Sequence, residues 1–434
     1  VLGQLTSGAV VKRTENPINL PADMLGDEDS KFLVRWATPL YTFTKASWMM
    51  AWPWPLIHDY SIPALPEIRR FGDPRLWAGV GWLAVFLIVL GWSYVRNRKL
   101  LVAIGLALVP YSIVSNLVII IGTVFGERLL YAPSAGACMA LGLVLSPPFS
   151  RPKAITAHGK ATDSARPSRS RAALVVAMIL SLAAIAYGYS VVQRNRDWRS
   201  PEALVLSVGD HERTSFKVLG SFAEMALREG SRHLAEGDEQ AAQAAFQRSL
   251  DYAQRGLQIA PETWGPHSAR GLALWHLGQN EEALKVLAHA LQLGAAYDPR
   301  TLFAAGHLMV EVEGDYATGV ELLEMVLQRH PTPLVRVKTH NDLAMFLITA
   351  PEGMRHQTTG LPVRDLAKAL KHAQEAVRLS PTDGAIRDTL VRVLLALGRR
   401  DDAIAALKEA LIRIPTDDSY RSQLQDLLDQ LTAS

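Results

Sequence analysis

The sequence predicts an all-α protein in which transmembrane helices are followed by an α-solenoid of two-helix repeats. The long uncharged apolar segments lie almost entirely before residue 193. After residue 193 the chain is rich in alanine and leucine with frequent charges, a composition typical of packed helices. In that second part a two-helix pattern recurs with a period of about 34 residues.

Length and composition support several domains in one membrane protein. The chain has 434 residues, of which 49% are hydrophobic, and a domain takes about 150 residues on average. The net charge of +3 is small and the basic residues cluster beside apolar segments, so binding of nucleic acid has little support. The predicted organisation has five parts: an extracytoplasmic or interfacial loop domain (1–75), three transmembrane helices (76–148), a flexible basic cytoplasmic linker (149–171), a fourth transmembrane helix (172–192) and a repeat domain (193–434).

Four apolar segments are candidate membrane spans, because a helix needs about 20 apolar residues to cross the hydrocarbon layer. The second span contains Pro110 and the pair Ser115-Asn116, whose polar groups need partners inside a membrane. The third has small residues around Gly136 that suit close helix packing. The four spans are residues 76–95, 100–122, 129–147 and 172–192.

The basic loops set the orientation of these spans. Residues 96–99 and the linker 149–171 are rich in lysine and arginine, and such short loops remain on the cytoplasmic side. Residues 1–75, the Glu127-Arg128 turn and the repeat domain are then expected on the opposite face. We therefore predict an integral protein of the bacterial inner membrane, or of the endoplasmic reticulum in a eukaryote, with extracytoplasmic repeats.

The segment before the first span is rich in tryptophan and proline. Tryptophan concentrates at the membrane interface, so residues 42–52 are predicted to form an interfacial helix, followed by a polar turn that includes Asp59, Tyr60 and Ser61. The alternative is that these aromatic residues form the core of a small domain outside the membrane.

The repeat pattern is that of tetratricopeptide repeats. The clearest copy spans residues 264–293, and a weaker copy at 234–261 requires a first helix that begins well before Leu234. Such arrays commonly bind an extended peptide in a groove. Four residues on first-helix positions are candidates for that groove, with ordinary solvation as the alternative: His267, Arg270, Lys338 and Asn341. Further copies are predicted at 302–331, 338–381 and 385–415, the second of these with an insertion near residues 351–362.

The charged pair Glu127-Arg128 interrupts an apolar run and precedes Tyr131. A charge at the centre of the hydrocarbon layer costs roughly 2.5 kcal/mol or more, so the pair lies at the water boundary or serves a site. The purely structural interpretation is that the two side chains form an ion pair at the membrane boundary. The repeat half has no Ser/His/Asp grouping, metal-spaced cluster or glycine-rich phosphate loop, and no metal or cofactor is predicted.

Together these motifs resemble one family. The motifs are Glu15-Asn16-Pro17, Leu56-x-x-Asp59-Tyr60-Ser61, Ser115-Asn116 and Glu127-Arg128-x-x-Tyr131-x-Pro133-Ser134, followed by the repeats. The chain resembles the transmembrane and tetratricopeptide-repeat O-mannosyltransferases, as a bacterial-type relative that is truncated at its N-terminus. The resemblance covers residues 10–150 by motif and 213–434 by architecture.

The resemblance implies a membrane glycosyltransferase. Its donor would be a polyprenyl- or dolichyl-phosphate sugar, and its acceptor the Ser or Thr of an extracytoplasmic protein bound by the repeats. Arg128, with Glu127 and Tyr131, would bind the donor phosphate, because a guanidinium matches phosphate oxygens in pairs. The family's loop motif would correspond to Asn16, Pro17, Asp59, Tyr60 and Ser61.

One part of the family pattern has no counterpart. In enzymes of this type the catalytic acidic residue lies in a first extracytoplasmic loop, and the acidic cluster at residues 27–29 lies beyond the Asn-Pro segment instead. We therefore expect that this chain lacks the catalytic carboxylate and is a fragment whose upstream residues are missing, and an upstream sequence with several more spans and an acidic first loop would favour the transferase. The rival hypothesis is a non-enzymatic, membrane-anchored repeat scaffold that recruits extracytoplasmic proteins.

Overall fold

The computed structural model describes residues 28–52, 60, 65, 67–121, 123–145, 171–207, 215–356 and 359–433. Most of these residues lie in helices, and one isolated antiparallel bridge pairs Arg355 with Pro362. The predicted all-α class is confirmed for this part of the chain. The described residues form two compact units, one up to residue 221 and the other from residue 222 to residue 433.

The first unit contains the membrane helices. Three described helical segments are long and apolar enough to cross a membrane: Pro74–Arg96, Glu127–Leu145 and Leu174–Asp197. They correspond to the first, third and fourth predicted spans. In chain order the helices are α1 (Glu28–Ala51), α2 (Pro74–Arg96), α3 (Arg98–Val114), a 3₁₀ turn (Glu127–Leu130) that leads into α4 (Tyr131–Leu145), α5 (Arg171–Asp197) and α6 (Pro201–Leu206).

The ends of α2 and α3 follow from local capping. Asp73 accepts a hydrogen bond from the Arg75 N–H, and Pro74 occupies the first turn, where a missing N–H costs nothing. Asn97 ends α2 and also caps α3, since its side-chain oxygen accepts from the Leu100 N–H at 3.2 Å. One residue thus separates two helices.

The second predicted span is shorter than expected. Helix α3 ends at Val114, and the described residues 115–121 and 123–126 are not α-helical. Asn116 is fully buried with a φ of 59°, a left-handed conformation that asparagine tolerates better than most residues. The helix therefore ends here for a conformational reason that hydropathy does not show.

Side chains satisfy the exposed backbone of this irregular segment. The Asn116 amide donates to the carbonyls of Thr123 and Val124, both at 3.0 Å, and its oxygen accepts from the Ile121 N–H at 2.9 Å. Arg35 of α1 donates to two further carbonyls, those of residues 116 and 117, at 2.7 and 2.9 Å. Irregular backbone at membrane depth is tolerated only with such protein partners. The expectation that Asn116 needs partners is confirmed.

Helix α1 extends the predicted interfacial helix by fourteen residues at its N-terminal side, since it begins at Glu28. Val34, Ala46 and Met49 are buried in a core that also contains Tyr60 and Tyr111. Within the predicted polar turn, the Tyr60 side chain is 1% exposed and packs in this core. The tryptophans face outward: Trp36, Trp48 and Trp52 are 47%, 62% and 59% exposed.

Helices α3 and α4 pack closely because of a glycine. A Cβ atom at Gly136 would lie 2.3 Å from the Ala107 nitrogen and 2.6 Å from the Ala103 carbonyl oxygen, so no side chain fits. The small residues predicted to form a packing face in the third span therefore have a structural role there.

The second unit is a series of helix pairs. Each predicted repeat copy corresponds to one pair, and the weak copy has a first helix that begins at Phe216, as expected. The pairs are α7 (Phe216–Ala235) with α8 (Glu239–Ile259), α9 (Trp264–His276) with α10 (Asn280–Leu293), α11 (Pro299–Glu313) with α12 (Tyr316–Gln328), α13 (Pro333–Thr349) with α14 (Leu366–Leu379), and α15 (Gly384–Ala396) with α16 (Arg400–Arg413). Helix α17 (Arg421–Ala433) packs through Leu424 on the last pair.

Glycines at the helix crossings and turns define each repeat. A Cβ atom at Gly271 would lie 2.6 Å from Cγ of Leu287, so α9 and α10 touch at this point. Gly278 has a φ of 76° and ends α9 in the left-handed conformation that glycine adopts without strain. The predicted insertion lies between α13 and α14, where Val363 is fully buried and donates to the Met354 carbonyl at 2.9 Å.

We expect Gly271→Trp to destabilise the repeat unit by roughly 1–3 kcal/mol or more, because the indole would overpack the crossing with Leu287. Urea unfolding of residues 213–434, monitored by circular dichroism, measures this change. Gly265→Ala is the matched control, since a Cβ atom at Gly265 meets nothing within 4 Å. Equal unfolding midpoints for Gly271→Trp and wild type would contradict the close approach.

A histidine pair links α13 to α14 and makes this repeat sensitive to acid. The Nδ1 atoms of His340 and His372 lie 2.8 Å apart, so one ring donates and the other, unprotonated at Nδ1, accepts. Burial lowers the pKa of His340 and lowers that of His372 to about 4. Both values lie below those of the unfolded chain, about 6.5, so stability present above pH 6.5 is lost as the pH falls towards 4.

The variant His372→Gln should therefore lose less thermal stability than wild type between pH 7 and pH 5. Melting temperatures of residues 213–434 at the two pH values test this expectation, with His330→Asn at an exposed position as control. An unchanged pH dependence in His372→Gln would show that other groups determine the acid response.

Candidate functional site

The candidate site is a cluster of polar side chains where α4 begins. Glu127 lies in the first turn of the 3₁₀ segment after the extended residue Gly126. A carboxylate is favourable at the N-terminus of a helix, where backbone N–H groups point outward. The start of a candidate span therefore carries a partly buried carboxylate whose side chain is 21% exposed.

Two distant side chains contact the Glu127 carboxylate. The Tyr60 hydroxyl donates to Oε1 at 2.9 Å, and Nη2 of Arg194, near the end of α5, lies 3.8 Å from Oε2. Tyr60 is held by an edge-to-face contact with Phe125, whose ring centroid is 5.0 Å away. The arginine side chain is only 13% exposed, so this ion pair is well shielded from water.

Lys45 adds a second cation on the side of α1. Its ammonium lies 4.9 Å from the centroid of the Tyr60 ring. Burial lowers the pKa of Lys45, and the nearby Glu127 carboxylate opposes this effect. The cluster thus joins residues from α1, the Tyr60 segment, the α4 start and the α5 end.

The contact between Glu127 and Arg194 fixes the relative direction of two spans. Glu127 begins one candidate span and Arg194 lies near the end of another, so the start of α4 and the end of α5 lie at the same end of the membrane unit. Leu145, where α4 ends, and Arg171, where α5 begins, then lie at the other end.

The predicted donor-site residues differ in their exposure and in their contacts. Arg128 is exposed and, among the described residues, has neither an ion pair nor a side-chain hydrogen bond. The boundary ion pair between Glu127 and Arg128 is therefore not formed, since Glu127 contacts Arg194 instead. Tyr131 is 86% exposed. Asn16, Pro17, Asp59 and Ser61 lie outside the described residues.

Sequence analysis did not identify Lys45 or Arg194 as site residues. Arg194 is one of several arginines that follow the fourth span, and composition does not distinguish it from Arg196 or Arg199. One signal could have identified Arg194: it is a charge at the end of a predicted span, on the same membrane face as Glu127. No group of three or more metal-ligating side chains occurs among the residues that the structure describes.

The four predicted groove residues do not form one cluster. His267 contacts the Pro261 carbonyl at 2.8 Å and the His289 ring, and Arg270 donates to Glu282 of α10 at 2.6 Å. These contacts hold a first helix against its own neighbours. Lys338 is exposed on α13, and Asn341 is adjacent there to Asp342.

A row of rings crosses the first helices of three successive repeats instead. His307 of α11 lies between Trp275 of α9 and Phe346 of α13, with centroid distances of 5.5 and 5.9 Å. Its Nδ1 atom is 2.7 Å from the Asp342 carboxylate, whose hydrogen bond and charge raise the pKa of His307 against the effect of burial. The aromatic row is a feature that repeat spacing alone did not reveal.

Comparisons with known proteins agree with the two units. The family model described as "Protein O-mannosyl-transferase TMTC, DUF1736" matches residues 13–88, and a tetratricopeptide-repeat model matches residues 364–428. A solved structure, the thermophilic tetratricopeptide-repeat protein TTC0263 from Thermus thermophilus, aligns at 16% identity and a TM-score of 0.33 over 49% of this chain and 100% of that one.

The curated relatives carry the same family description. Protein O-mannosyl-transferase TMTC4 of Mus musculus is 30% identical over 183 residues, 40% of this chain and 22% of that protein. Protein O-mannosyl-transferase TMTC3 of Homo sapiens is 24% identical over 271 residues, 61% of this chain and 26% of that protein. The chain thus spans about a quarter of the length of these relatives. The predicted resemblance is confirmed, and the chain is related to the transmembrane and tetratricopeptide-repeat protein O-mannosyl-transferases.

Proposed function

We propose that this chain is the membrane-embedded and acceptor-binding part of a protein O-glycosyltransferase. Its donor is a sugar, by family resemblance mannose, linked to polyprenyl or dolichyl phosphate. The observation that carries this proposal is the shielded cluster of Tyr60, Glu127 and Arg194 at one end of the membrane spans. A lipid-linked donor needs a polar site at the boundary of the hydrocarbon layer, and ionisable groups there are costly unless they serve such a site.

The reaction requires two kinds of group. A base accepts the proton of the Ser or Thr hydroxyl as its oxygen attacks the anomeric carbon, and cations stabilise the departing lipid phosphate. Arg128 is the proposed phosphate ligand, because its guanidinium is exposed beside the cluster and pairs with no described carboxylate. Glu127 and Tyr131 complete the proposed donor site around it. The base is expected elsewhere in the whole protein.

The repeats are proposed to bind the acceptor protein. Lys338 and Asn341 lie on the same helix as Phe346 of the aromatic row, so an extended peptide on this face would meet both polar and aromatic groups. His267 and Arg270 fit this role less directly, since they contact neighbouring parts of the repeat array. The non-enzymatic scaffold would use the same face without sugar transfer.

Topology gives the first test. The α5 end lies at the Glu127 end of the spans, so the repeats should leave the membrane on the extracytoplasmic side, opposite the basic linker. We expect protease added to intact spheroplasts to digest the repeats, or the repeats to be protected in sealed microsomes if the host is eukaryotic. The reverse pattern would place the cluster on the cytoplasmic face, where this donor is not expected.

Substitution of Arg128 tests the donor site. Arg128→Gln should reduce sugar transfer by a few kcal/mol of transition-state stabilisation, the effect of removing a charge-stabilising donor. Arg128→Lys keeps the charge but not the planar pair of N–H groups, so its loss should be substantial but smaller. Transfer from a polyprenyl-phosphate sugar to a Ser/Thr peptide, per folded molecule of the whole protein, is the measurement.

The matched control is Arg96→Gln, which removes an exposed arginine at the end of α2. We expect the control variant to retain transfer. Normal transfer by Arg128→Gln would show that Arg128 does not bind the donor. If the unmodified whole protein showed no transfer, the non-enzymatic scaffold would be favoured.

A further inference from the structure

Arg194 presents one free edge of its guanidinium inside the Glu127 cluster. Its Nη1 atom donates to Oδ2 of Asp197 at 3.1 Å and to the Ser207 hydroxyl at 3.3 Å. Its Nε and Nη2 atoms are buried and have no hydrogen-bond partner among the described residues. These two nitrogens form the edge from which two parallel N–H groups point in the same direction.

A buried N–H group without a partner is costly, since it has lost water and gained no replacement. Here two such groups belong to one permanently charged side chain. Glu127 Oε2 lies 3.8 Å from Nη2, beyond hydrogen-bond distance, so the carboxylate neutralises the charge without taking the N–H groups. The edge is shaped for a ligand with two adjacent anionic oxygens.

A second cation, Lys45, belongs to the same cluster, in which the Glu127 and Asp197 carboxylates face Arg194. Lys45 approaches Tyr60 from the α1 side, and Tyr60 holds the other oxygen of the Glu127 carboxylate at 2.9 Å. A phosphate monoester or diester offers the paired oxygens that a guanidinium edge binds best. The location at the end of a candidate membrane span suits a phosphate that is attached to a lipid chain.

We propose that Arg194 binds the phosphate of the lipid-linked donor through its Nε and Nη2 groups, and that Glu127 is the counterion that the phosphate displaces. This inference rests on the proposed function, and it adds a second arginine to the one that sequence analysis identified. Without donor, the carboxylate balances the arginine at 3.8 Å. When the donor is bound, the two N–H groups donate to its phosphate oxygens in place of the Glu127 contact. The Glu127 carboxylate then stays hydrogen-bonded to Tyr60.

Direct binding of a probe tests the exchange. The probe is polyprenyl monophosphate, and the same polyprenol without phosphate measures binding of the lipid chain alone. The full chain is used in dodecyl maltoside, a detergent without phosphate. We expect Arg194→Gln to weaken binding of the phosphate lipid by roughly 10- to 100-fold, the effect of losing hydrogen bonds to a charged group, and to leave binding of polyprenol unchanged.

Two further variants separate ligand binding from a structural ion pair. Arg194→Lys should bind with intermediate affinity, because it keeps the charge and loses the paired N–H groups. Glu127→Gln should bind the phosphate lipid more tightly than wild type, because the competing charge is gone while the amide oxygen still accepts from Tyr60. Arg196→Gln is the control, since that exposed arginine lies on the same helix two residues away.

Each outcome has a distinct meaning. Wild-type binding that is no stronger for the phosphate lipid than for polyprenol would overturn the proposed donor, and Arg194 with it. Folded Arg194→Gln that binds like wild type, even with a lower melting temperature, would overturn the role of Arg194 alone and leave a structural ion pair. If Arg194→Gln does not fold, weaker binding by Glu127→Gln would overturn the counterion exchange.

Discussion

The membrane unit depends on one constraint: polar groups at membrane depth need partners within the protein. Asn116 and Arg35 meet this need for the segment after α3, where they bind five backbone groups of the irregular chain. Without these side chains, that segment would expose carbonyls and N–H groups in a region without water. The position of Phe125, Gly126 and Glu127 follows from this arrangement, because the irregular chain leads directly into the 3₁₀ turn.

The same constraint explains why the site is located at the end of the spans. Helix α5 has an apolar window of which none is buried inside the protein, so its body is suited to lipid rather than to packing. Its specific polar contacts lie further along: Tyr187 donates to the Ala51 carbonyl at 2.5 Å, and Arg194 approaches Glu127. Charge placed where lipid and water meet is less costly than charge at the centre of the layer. The proposed chemistry therefore has its polar groups where a lipid phosphate would also lie.

The repeat unit follows a different principle, since each helix pair is stabilised by its neighbours. One continuous core runs from Ala223 to Val393, and α17 closes the last pair through a separate cluster. Crossings such as that of Gly271 with Leu287 fix the geometry within a pair, whereas rings such as Trp275 and His307 connect successive first helices. The row of rings depends on how the pairs stack, because its members come from several repeats.

Local patterns in the sequence indicated the helical class, three of the spans, the repeat pairs and the family resemblance, because apolar length, glycine positions and period are local properties of the chain. The sequence also marked Glu127 as a charge that needs an explanation. The end of α3 at Val114, the burial of Tyr60 and the contact of Glu127 with Arg194 rather than with Arg128 depend on long-range packing. Partners so far apart in sequence leave no periodic signal, and adjacent side chains such as those of residues 127 and 128 point in different directions from one helical turn.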